Sequence, residues 1–151
     1  GLIYKESFIA NPNHLFELLI NSDEWDNRMK SRKTMSYGKA YNYSQISYPN
    51  KEMISELDDI CDKIRELLGY KPNNCLINLY DNGNSKMGYH SDQIDILQDK
   101  TGITIISLGD ERILRFRNID NPETVQEFLL KKGSLLHMNQ KIQEIWQHSI
   151  P

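Results

Sequence analysis

Gly88-Tyr89-His90-Ser91-Asp92 places a histidine and an aspartate two residues apart. Residues i and i+2 of an extended strand point to the same side, so both side chains can reach one metal ion if residues 89–92 form a strand. Another histidine, His148, lies near the end of the given sequence in Trp146-Gln147-His148, and it must come from a different strand. Two imidazoles and one carboxylate match the facial triad that holds non-haem Fe(II) with open coordination positions, and this donor set predicts oxidative chemistry.

The pattern of histidine, any residue and aspartate is short and arises often by chance. The chain has four histidines, so the third ligand is not fixed by residue type. His14 lies in a predicted helix, one residue before an apolar position, and we expect it to be exposed or to take part in capping. His137 lies in a predicted strand near the C-terminus and competes with His148. Spacing alone therefore leaves open both a metal site and histidines that simply belong to the core or the surface.

The composition is typical of a soluble globular domain. The 151 residues are 38% hydrophobic and 26% charged, which is enough for one domain with its own core. No apolar run approaches the roughly 20 residues that span a bilayer, and no signal-peptide pattern begins the sequence, so we expect no membrane partner. Cys61 and Cys75 form no CxxC pair, which favours an intracellular, reducing compartment such as the cytoplasm or nucleus.

Charge is distributed unevenly along the chain. The formal net charge is -3, which gives no overall preference for nucleic acid. A local basic stripe can still bind phosphates on an acidic protein, although a run of charges is more often a solvated surface. Two such groups are present: Arg28, Lys30, Arg32, Lys33 and Lys39 form the first, and Arg112, Arg115, Arg117, Lys131 and Lys132 form the second.

A first helix is predicted at Asn11-Pro12, which has the pattern of an N-cap followed by proline in the first helical position. Leu15, Leu18 and Leu19 would share one face of this helix, which is expected to end near Asn21.

A second helix is predicted from apolar residues that recur every three or four positions. Gly69 fits the position just after its last turn, and Pro72 prevents the helix from resuming. Residues 26–49, between the two helices, are polar, basic and tyrosine-rich, and we interpret them as hairpins and recognition loops. The apolar stripe of the second helix consists of Met53, Leu57, Ile60, Ile64 and Leu67.

From residue 75 onwards the pattern changes to short strands, with turns at Gly109-Asp110 and Lys132-Gly133. Several short strands after two helices predict an α+β domain. We expect the strands to form a double-sheet, cupin-like jelly roll, an arrangement that protects the edges of the sheets. The predicted strands are Cys75–Tyr80, Ile103–Leu108, Ile113–Arg117, Val125–Leu130, Ser134–Met138 and Ile142–His148.

Five motifs occur in a fixed order along the chain. They are Asn78-Leu79-Tyr80-Asp81-Asn82-Gly83, His90-Ser91-Asp92, Ile106-Ser107-Leu108-Gly109, Gly133-Ser134-Leu135-Leu136-His137-Met138 and Trp146-Gln147-His148. In this order they resemble the AlkB family of Fe(II)- and 2-oxoglutarate-dependent dioxygenases, which repair alkylated nucleobases. Upstream, Arg32-Lys33-Thr34-Met35-Ser36-Tyr37-Gly38 and Tyr41-Asn42-Tyr43-Ser44 look like the nucleotide-recognition segment of that family. The resemblance covers about residues 28–151.

The resemblance implies a role for each matching residue. His90, Asp92 and His148 would ligate iron and act in catalysis, and His137 would not, since the family has an ordinary apolar residue there. Asn78 and Tyr80 would contact 2-oxoglutarate; as residues i and i+2 they would face the barrel interior, or else form a buried polar pair satisfied by backbone. The residues expected to contact substrate are Arg32, Tyr41, Asn42, Tyr43 and Gln93.

The tyrosine pair also has an interpretation of its own. Tyr41 and Tyr43, at i and i+2, could hold a base that has been flipped out of its stack, beside basic residues that bind phosphates. The alternative is that the two tyrosines pack within a hairpin. Arg32 likewise has an alternative to contacting substrate, which is to be solvated.

Two departures from the family pattern affect these expectations. Gln93 stands where repair enzymes often carry a second acid, so the base preference is open. The given sequence has three residues after His148, and they do not include the arginine-bearing strand, RxNxTxR-like, whose first arginine pairs with 2-oxoglutarate in the family. Either that strand is missing from the sequence, or another residue takes its role, or activity is weak; Arg112, Arg115 and Arg117 cannot be assigned to it by motif.

Together with the length of the chain, the resemblance leads us to expect a single dioxygenase domain over residues 1–151. Its N-terminal helices and nucleotide-recognition segment would occupy about residues 1–70, and its jelly-roll core, a double-stranded β-helix, about residues 71–151. With Fe(II), 2-oxoglutarate and O₂ it would demethylate 1-methyladenine and 3-methylcytosine in DNA or RNA, as a monomer, releasing formaldehyde, succinate and CO₂. The alternatives are an oxygenase that hydroxylates a protein or small molecule, and a non-catalytic nucleic-acid-binding module on a vestigial barrel.

Overall fold

The computed structural model describes residues 1–29, 32–39, 42–43, 46–81, 84–92, 97–98 and 100–151, with the backbone alone at residues 42–43 and 46–47. In chain order the elements are β1 (Leu2–Lys5), α1 (Pro12–Ile20), β2 (Lys33–Gly38), β3 (Asn42–Tyr43), β4 (Ile46–Ser47), α2 (Ser55–Leu68), β5 (Asn74–Leu79), β6 (Met87–His90), β7 (Gly102–Ile106), β8 (Arg112–Asn118), β9 (Val125–Leu130), β10 (Leu135–Asn139), α3 (Gln140–Ile145) and β11 (Trp146–Ile150). None of the helices in these ranges is long and apolar enough to cross a membrane.

The chain divides into two compact units, the first made of residues 1–21 and 86–151 and the second of residues 22–85. The first unit contains two antiparallel sheets, with strand orders β1-β10-β7 and β6-β11-β8-β9. Tyr4 of β1 joins them, because its ring packs against Phe128 of β9 at a centroid distance of 6.2 Å and its hydroxyl donates to the carbonyl of Leu129 at 3.0 Å. Two sheets facing each other form the jelly roll that the strand pattern predicts.

The core of the first unit follows from the alternation of side chains along its strands. In β8, Leu114 and Phe116 are buried, whereas the alternate residues Ile113 and Arg115 are not. The central strand β10 is covered on both faces, and Leu135, Leu136 and Met138 are fully buried. A run of consecutive apolar residues is what a strand covered on both faces requires.

The second unit combines α2 with two short sheets. β2 pairs antiparallel with β5 from Lys33 opposite Leu79 to Gly38 opposite Asn74, and β3 pairs with β4 as a hairpin. Hairpins predicted for residues 26–49 are thus found for β3 and β4, while β2 is a longer strand whose partner lies outside that range. β5, which we assigned to the strand-rich half of the chain, belongs to this unit.

Both predicted helices are confirmed. In α1, Asn11 is the N-cap, and its side chain accepts a hydrogen bond from the backbone N–H of His14, whose side chain is exposed. α2 buries Leu57 and Ile64 of the predicted stripe and ends at Gly69, whose φ of 84° is the left-handed cap conformation that glycine adopts without strain.

One predicted strand, Ile142–His148, is wrong in its first half. The chain forms the short helix α3 over Gln140–Ile145 and becomes extended only at Trp146. The physical reason is a cap: the Asn139 side chain accepts a hydrogen bond from the backbone N–H of Ile142 at 3.2 Å, which satisfies a donor that helix formation leaves free.

We expect Asn139→Ala to lower the free energy of unfolding by about 1 kcal/mol, because the variant loses this capping bond. Urea unfolding followed by circular dichroism measures the change. Asn121→Ala, at an exposed loop position, serves as the matched control and should change stability by less than about 0.5 kcal/mol. Equal stability of the two variants would show that the cap does not hold α3.

Candidate metal centre

Two neighbouring strands bring the distant histidines together. His90 is the last residue of β6, His148 lies in the middle of β11, and the antiparallel register places them directly opposite each other. Their ring centroids are 4.4 Å apart. Residues opposite each other on adjacent strands share a face of the sheet, so a separation of 58 residues in sequence becomes a direct contact.

Asp92 completes a cluster whose potential ligand atoms all lie within 4.8 Å of one another. Its Oδ1 is 3.4 Å from His90 Nε2, and its Oδ2 is 3.5 Å from His148 Nε2. Two donors bound at about 2.1 Å to one ion and at right angles to each other lie about 3 Å apart, so the 3.4 Å between Asp92 Oδ1 and His90 Nε2 is close to the distance that a shared ion needs.

Asp92 lies two residues beyond the end of the strand that carries His90, since β6 ends at His90. The backbone N–H of Asp92 donates to the side chain of Gln143 at 2.7 Å instead of to a neighbouring strand, so the ladder stops before it. A second tie comes from Ser91, whose hydroxyl donates to the carbonyl of Trp146 at 2.9 Å.

The hydrogen bonding of His90 shows why the cluster suits a cation. Its Nδ1 lies 2.9 Å from the carbonyl oxygen of Gly88, which can only accept, so Nδ1 carries the proton. In the neutral imidazole Nε2 then holds a lone pair, and this lone pair faces Asp92 Oδ1. A positive charge between these two atoms, whether a proton or a metal ion, is attracted to both of them. The donor set therefore fits a divalent metal of the kind that binds imidazole and carboxylate.

His148 is the most buried member of the cluster, at 2% exposed. Burial lowers the pKa of His148 to about 4; the nearby Asp92 charge opposes the shift and His90 adds to it. The imidazole is consequently neutral at pH 7, the form that binds metal. Its Nδ1 is buried without a hydrogen-bond partner among the described residues, and the ring packs against Phe116 at a centroid distance of 5.8 Å.

The competing histidine, His137, has a different environment. It lies in β10 and is buried, and its Nδ1 is 2.9 Å from the hydroxyl of Thr104 on β7. Burial lowers its pKa below the ordinary value. In the part of the chain that the structure describes, it does not belong to the group of potential metal ligands. His137 is thus a hydrogen-bonded core histidine.

The predicted 2-oxoglutarate contacts, Asn78 and Tyr80, lie in the second unit. Asn78 is exposed while Ile77 and Leu79 are partly buried, so the alternative of a buried polar pair is wrong for Asn78. Asn78 Oδ1 accepts a hydrogen bond from Arg32 Nε at 2.7 Å. Arg32 is only 5% exposed, so the alternative that it is solvated is wrong.

The remaining predicted substrate contacts are described incompletely or not at all. Tyr41 and Gln93 lie outside the described residues, and Asn42 and Tyr43 are described only as the backbone of β3. Their expected roles stay predictions.

The family of the chain follows from its sequence as well as from this geometry. The sequence profile of the 2OG-Fe(II) oxygenase superfamily matches residues 15–151. The chain belongs to this superfamily. The match includes all three residues of the candidate metal centre and spans parts of both units.

Individual relatives and one solved structure are similar to the chain. It is 32% identical over 130 residues to DNA oxidative demethylase ALKBH2 of Mus musculus, covering 80% of this chain and 54% of that protein. It is 30% identical over 162 residues to alpha-ketoglutarate-dependent dioxygenase alkB homolog 3 of Bos taurus, covering 95% of this chain and 57% of that protein. The solved structure of OsALKBH1 matches with a TM-score of 0.67 at 17% identity, over 99% of this chain and 84% of that one.

Within the superfamily the sequence is similar to these AlkB homologues, and the fold is similar to that of OsALKBH1. The chain spans about half the length of the curated relatives it matches.

Proposed function

We propose that the protein is an Fe(II)- and 2-oxoglutarate-dependent dioxygenase that oxidatively demethylates N-alkylated bases in DNA or RNA. The observation that carries the proposal is the convergence of His90, Asp92 and His148, whose potential ligand atoms lie within 4.8 Å of one another. The superfamily match and the sequence similarity to a DNA oxidative demethylase of Mus musculus support it.

In this proposal His90, Asp92 and His148 would hold Fe(II). The iron, with 2-oxoglutarate and O₂, supplies the oxidising power, and formaldehyde, succinate and CO₂ are the products. The protein contributes ligands that are already in place: β6 and β11 fix the two imidazoles opposite each other, and the neutral His148 needs no proton removed before it binds. Burial of His148 against Phe116 keeps one side of the centre away from water.

We also propose the contacts that the family motifs imply. Asn78 and Tyr80 would bind 2-oxoglutarate, and the bond from Arg32 to Asn78 supports an ordered position for the asparagine side chain. The proposed substrates are 1-methyladenine and 3-methylcytosine, because a methyl group on the Watson–Crick edge weakens pairing and so lowers the cost of flipping the base. The nucleotide contacts would be Arg32, Tyr41, Asn42, Tyr43 and Gln93. We further propose that residues 1–151 act as one dioxygenase domain, since the superfamily match spans parts of both units.

The test loads the protein with Fe(II) without oxygen, adds 2-oxoglutarate and an oligonucleotide carrying 1-methyladenine, and then admits air. We expect adenine and succinate to form in equal amounts, measured by mass spectrometry. An oligonucleotide with 5-methylcytosine is the matched control, because its methyl group is bound to carbon and should stay.

The outcomes separate the possible functions. Succinate formed without loss of the methyl group, in DNA and in RNA, would indicate an oxygenase with another class of substrate. Binding of the oligonucleotide without any succinate would indicate a non-catalytic module. Either result overturns the proposed demethylation.

A further inference from the structure

The side chain of Gln143 is a buried amide at the edge of the candidate metal centre. It lies on α3 and is 4% exposed. Its Oε1 accepts a hydrogen bond from the backbone N–H of Asp92 at 2.7 Å, and its Nε2 donates to Asp92 Oδ2 at 3.3 Å. The same Nε2 lies 3.4 Å from Met138 Sδ. Both ends of the amide are therefore satisfied, and both bind the same residue.

The two hydrogen bonds from Gln143 restrict both the position of Asp92 and the rotation of its carboxylate. The bond to the backbone N–H fixes the main chain of Asp92, which lies beyond the end of β6 and has no ladder to hold it. The bond to Oδ2 fixes the rotation of the carboxylate, and a bond to a charged oxygen is stronger than one between neutral groups. Oδ2 therefore accepts a bond from Gln143 and also lies 3.5 Å from His148 Nε2, whereas Oδ1 faces His90 Nε2 and has no such bond among the described residues.

The position of Gln143 in the chain links two parts of the centre. α3 leads directly into β11, which carries His148. The segment that carries His90 and Asp92 is tied to the same region by Ser91, whose hydroxyl bonds the carbonyl of Trp146 at the start of β11. A shift of α3 would consequently move the carboxylate relative to the buried histidine.

We propose that Gln143 is a positioning residue that orients Asp92 for metal binding and leaves Oδ1 as the ligating oxygen. The inference rests on the proposed function only in so far as His90, Asp92 and His148 bind a divalent metal. Groups that hydrogen-bond a metal ligand typically contribute 10–100-fold to metal affinity, and this range sets the expected size of the effect.

The test compares the metal affinity of two substitutions in the full chain. Gln143→Met keeps much of the side-chain volume and loses both hydrogen bonds to Asp92. Gln143→Glu keeps an acceptor for the Asp92 N–H but replaces the donor to Oδ2 with a second carboxylate. We expect Gln143→Met to bind Fe(II), titrated without oxygen, about 10–100-fold more weakly than the wild type. Gln143→Glu also adds a negative charge beside the cation, which favours binding, so this variant is assessed by its ligand geometry. The visible absorption spectrum of the Co(II)-loaded protein, which reports the ligand geometry, should also change.

Gln140→Met is the matched control, since it changes a glutamine on the same helix whose Nε2 bonds the carbonyl of Gln98 at 2.7 Å. It should bind Fe(II) within about threefold of the wild type and keep the Co(II) spectrum. Circular dichroism establishes that each variant is folded, and Gln143→Glu, nearly identical in shape to glutamine, carries the test if Gln143→Met does not fold.

Wild-type affinity and an unchanged Co(II) spectrum in Gln143→Met, or an unchanged Co(II) spectrum in Gln143→Glu, would overturn the inference. The result in Gln143→Met would mean that neither hydrogen bond to Asp92 affects metal binding. The result in Gln143→Glu would mean that the hydrogen bond to the Asp92 carboxylate does not affect the ligand geometry. A wild-type protein that binds neither Fe(II) nor Co(II) would instead overturn the metal centre itself, and with it both proposals.

Discussion

Alanine in place of His90 or Asp92 is expected to weaken Fe(II) binding by at least about 100-fold and to reduce demethylation to the background rate. Each substitution removes one of three ligand atoms that lie within 4.8 Å of one another. The loss should exceed the 10–100-fold that is typical when only a hydrogen-bonding partner of a ligand is removed. His90 and Asp92 are partly exposed, so both truncations should leave the protein folded. Anaerobic titration with Fe(II) and release of succinate measure the two effects.

The third ligand is tested by a pair of histidines rather than by one. His148→Leu and His137→Leu both replace a buried imidazole with an apolar side chain, so they disturb packing to a similar degree. Because only His148 belongs to the cluster among the described residues, His148→Leu should lose Fe(II) binding and His137→Leu should retain it. The reverse result would move the third ligand to β10 and contradict the assignment.

Elements with local signals could be predicted from the sequence. The apolar stripe and Gly69 predicted α2, and the observed helix Ser55–Leu68 ends at that glycine. The strand Val125–Leu130 was predicted with its observed bounds. His148 was selected over His137 by the order of the motifs, and the register of β6 and β11 then explains physically why it lies beside His90.

Features that depend on tertiary contacts could not be predicted in the same way. β1 and β6 are four residues each, too short for a clear period, and they were missed. Apolar Ile142 and Ile145 suggested a strand where α3 forms; the available signal was Asn139 followed by three polar or charged residues within four positions. The contact of Gln143 with Asp92 joins residues 51 positions apart, and no local pattern encodes it.

Acid is expected to destabilise the metal-free protein through His148. Its pKa is about 4 in the folded state and near 6.5 when the chain is unfolded, because burial penalises the charged ring. Above pH 6.5 both states hold the neutral form, so stability is unaffected. Between pH 6.5 and 4 the unfolded state binds a proton that the folded state does not, so the free energy of unfolding falls with pH. The accumulated loss is about 3 kcal/mol and levels off below pH 4.

Urea unfolding of the metal-free protein between pH 7.5 and 4.5 measures this loss of stability. The variant His148→Leu separates the contribution of His148 from the contribution of the carboxylates. The variant has no imidazole at this position, so its stability should depend less on pH than that of the wild type. Phe116→Leu, which changes the ring beside His148, is the packing control and should lower stability by a similar amount at every pH. Parallel curves for wild type and His148→Leu would mean that His148 is protonated equally easily in both states. Its burial would then not be what keeps this ligand neutral and ready to bind metal.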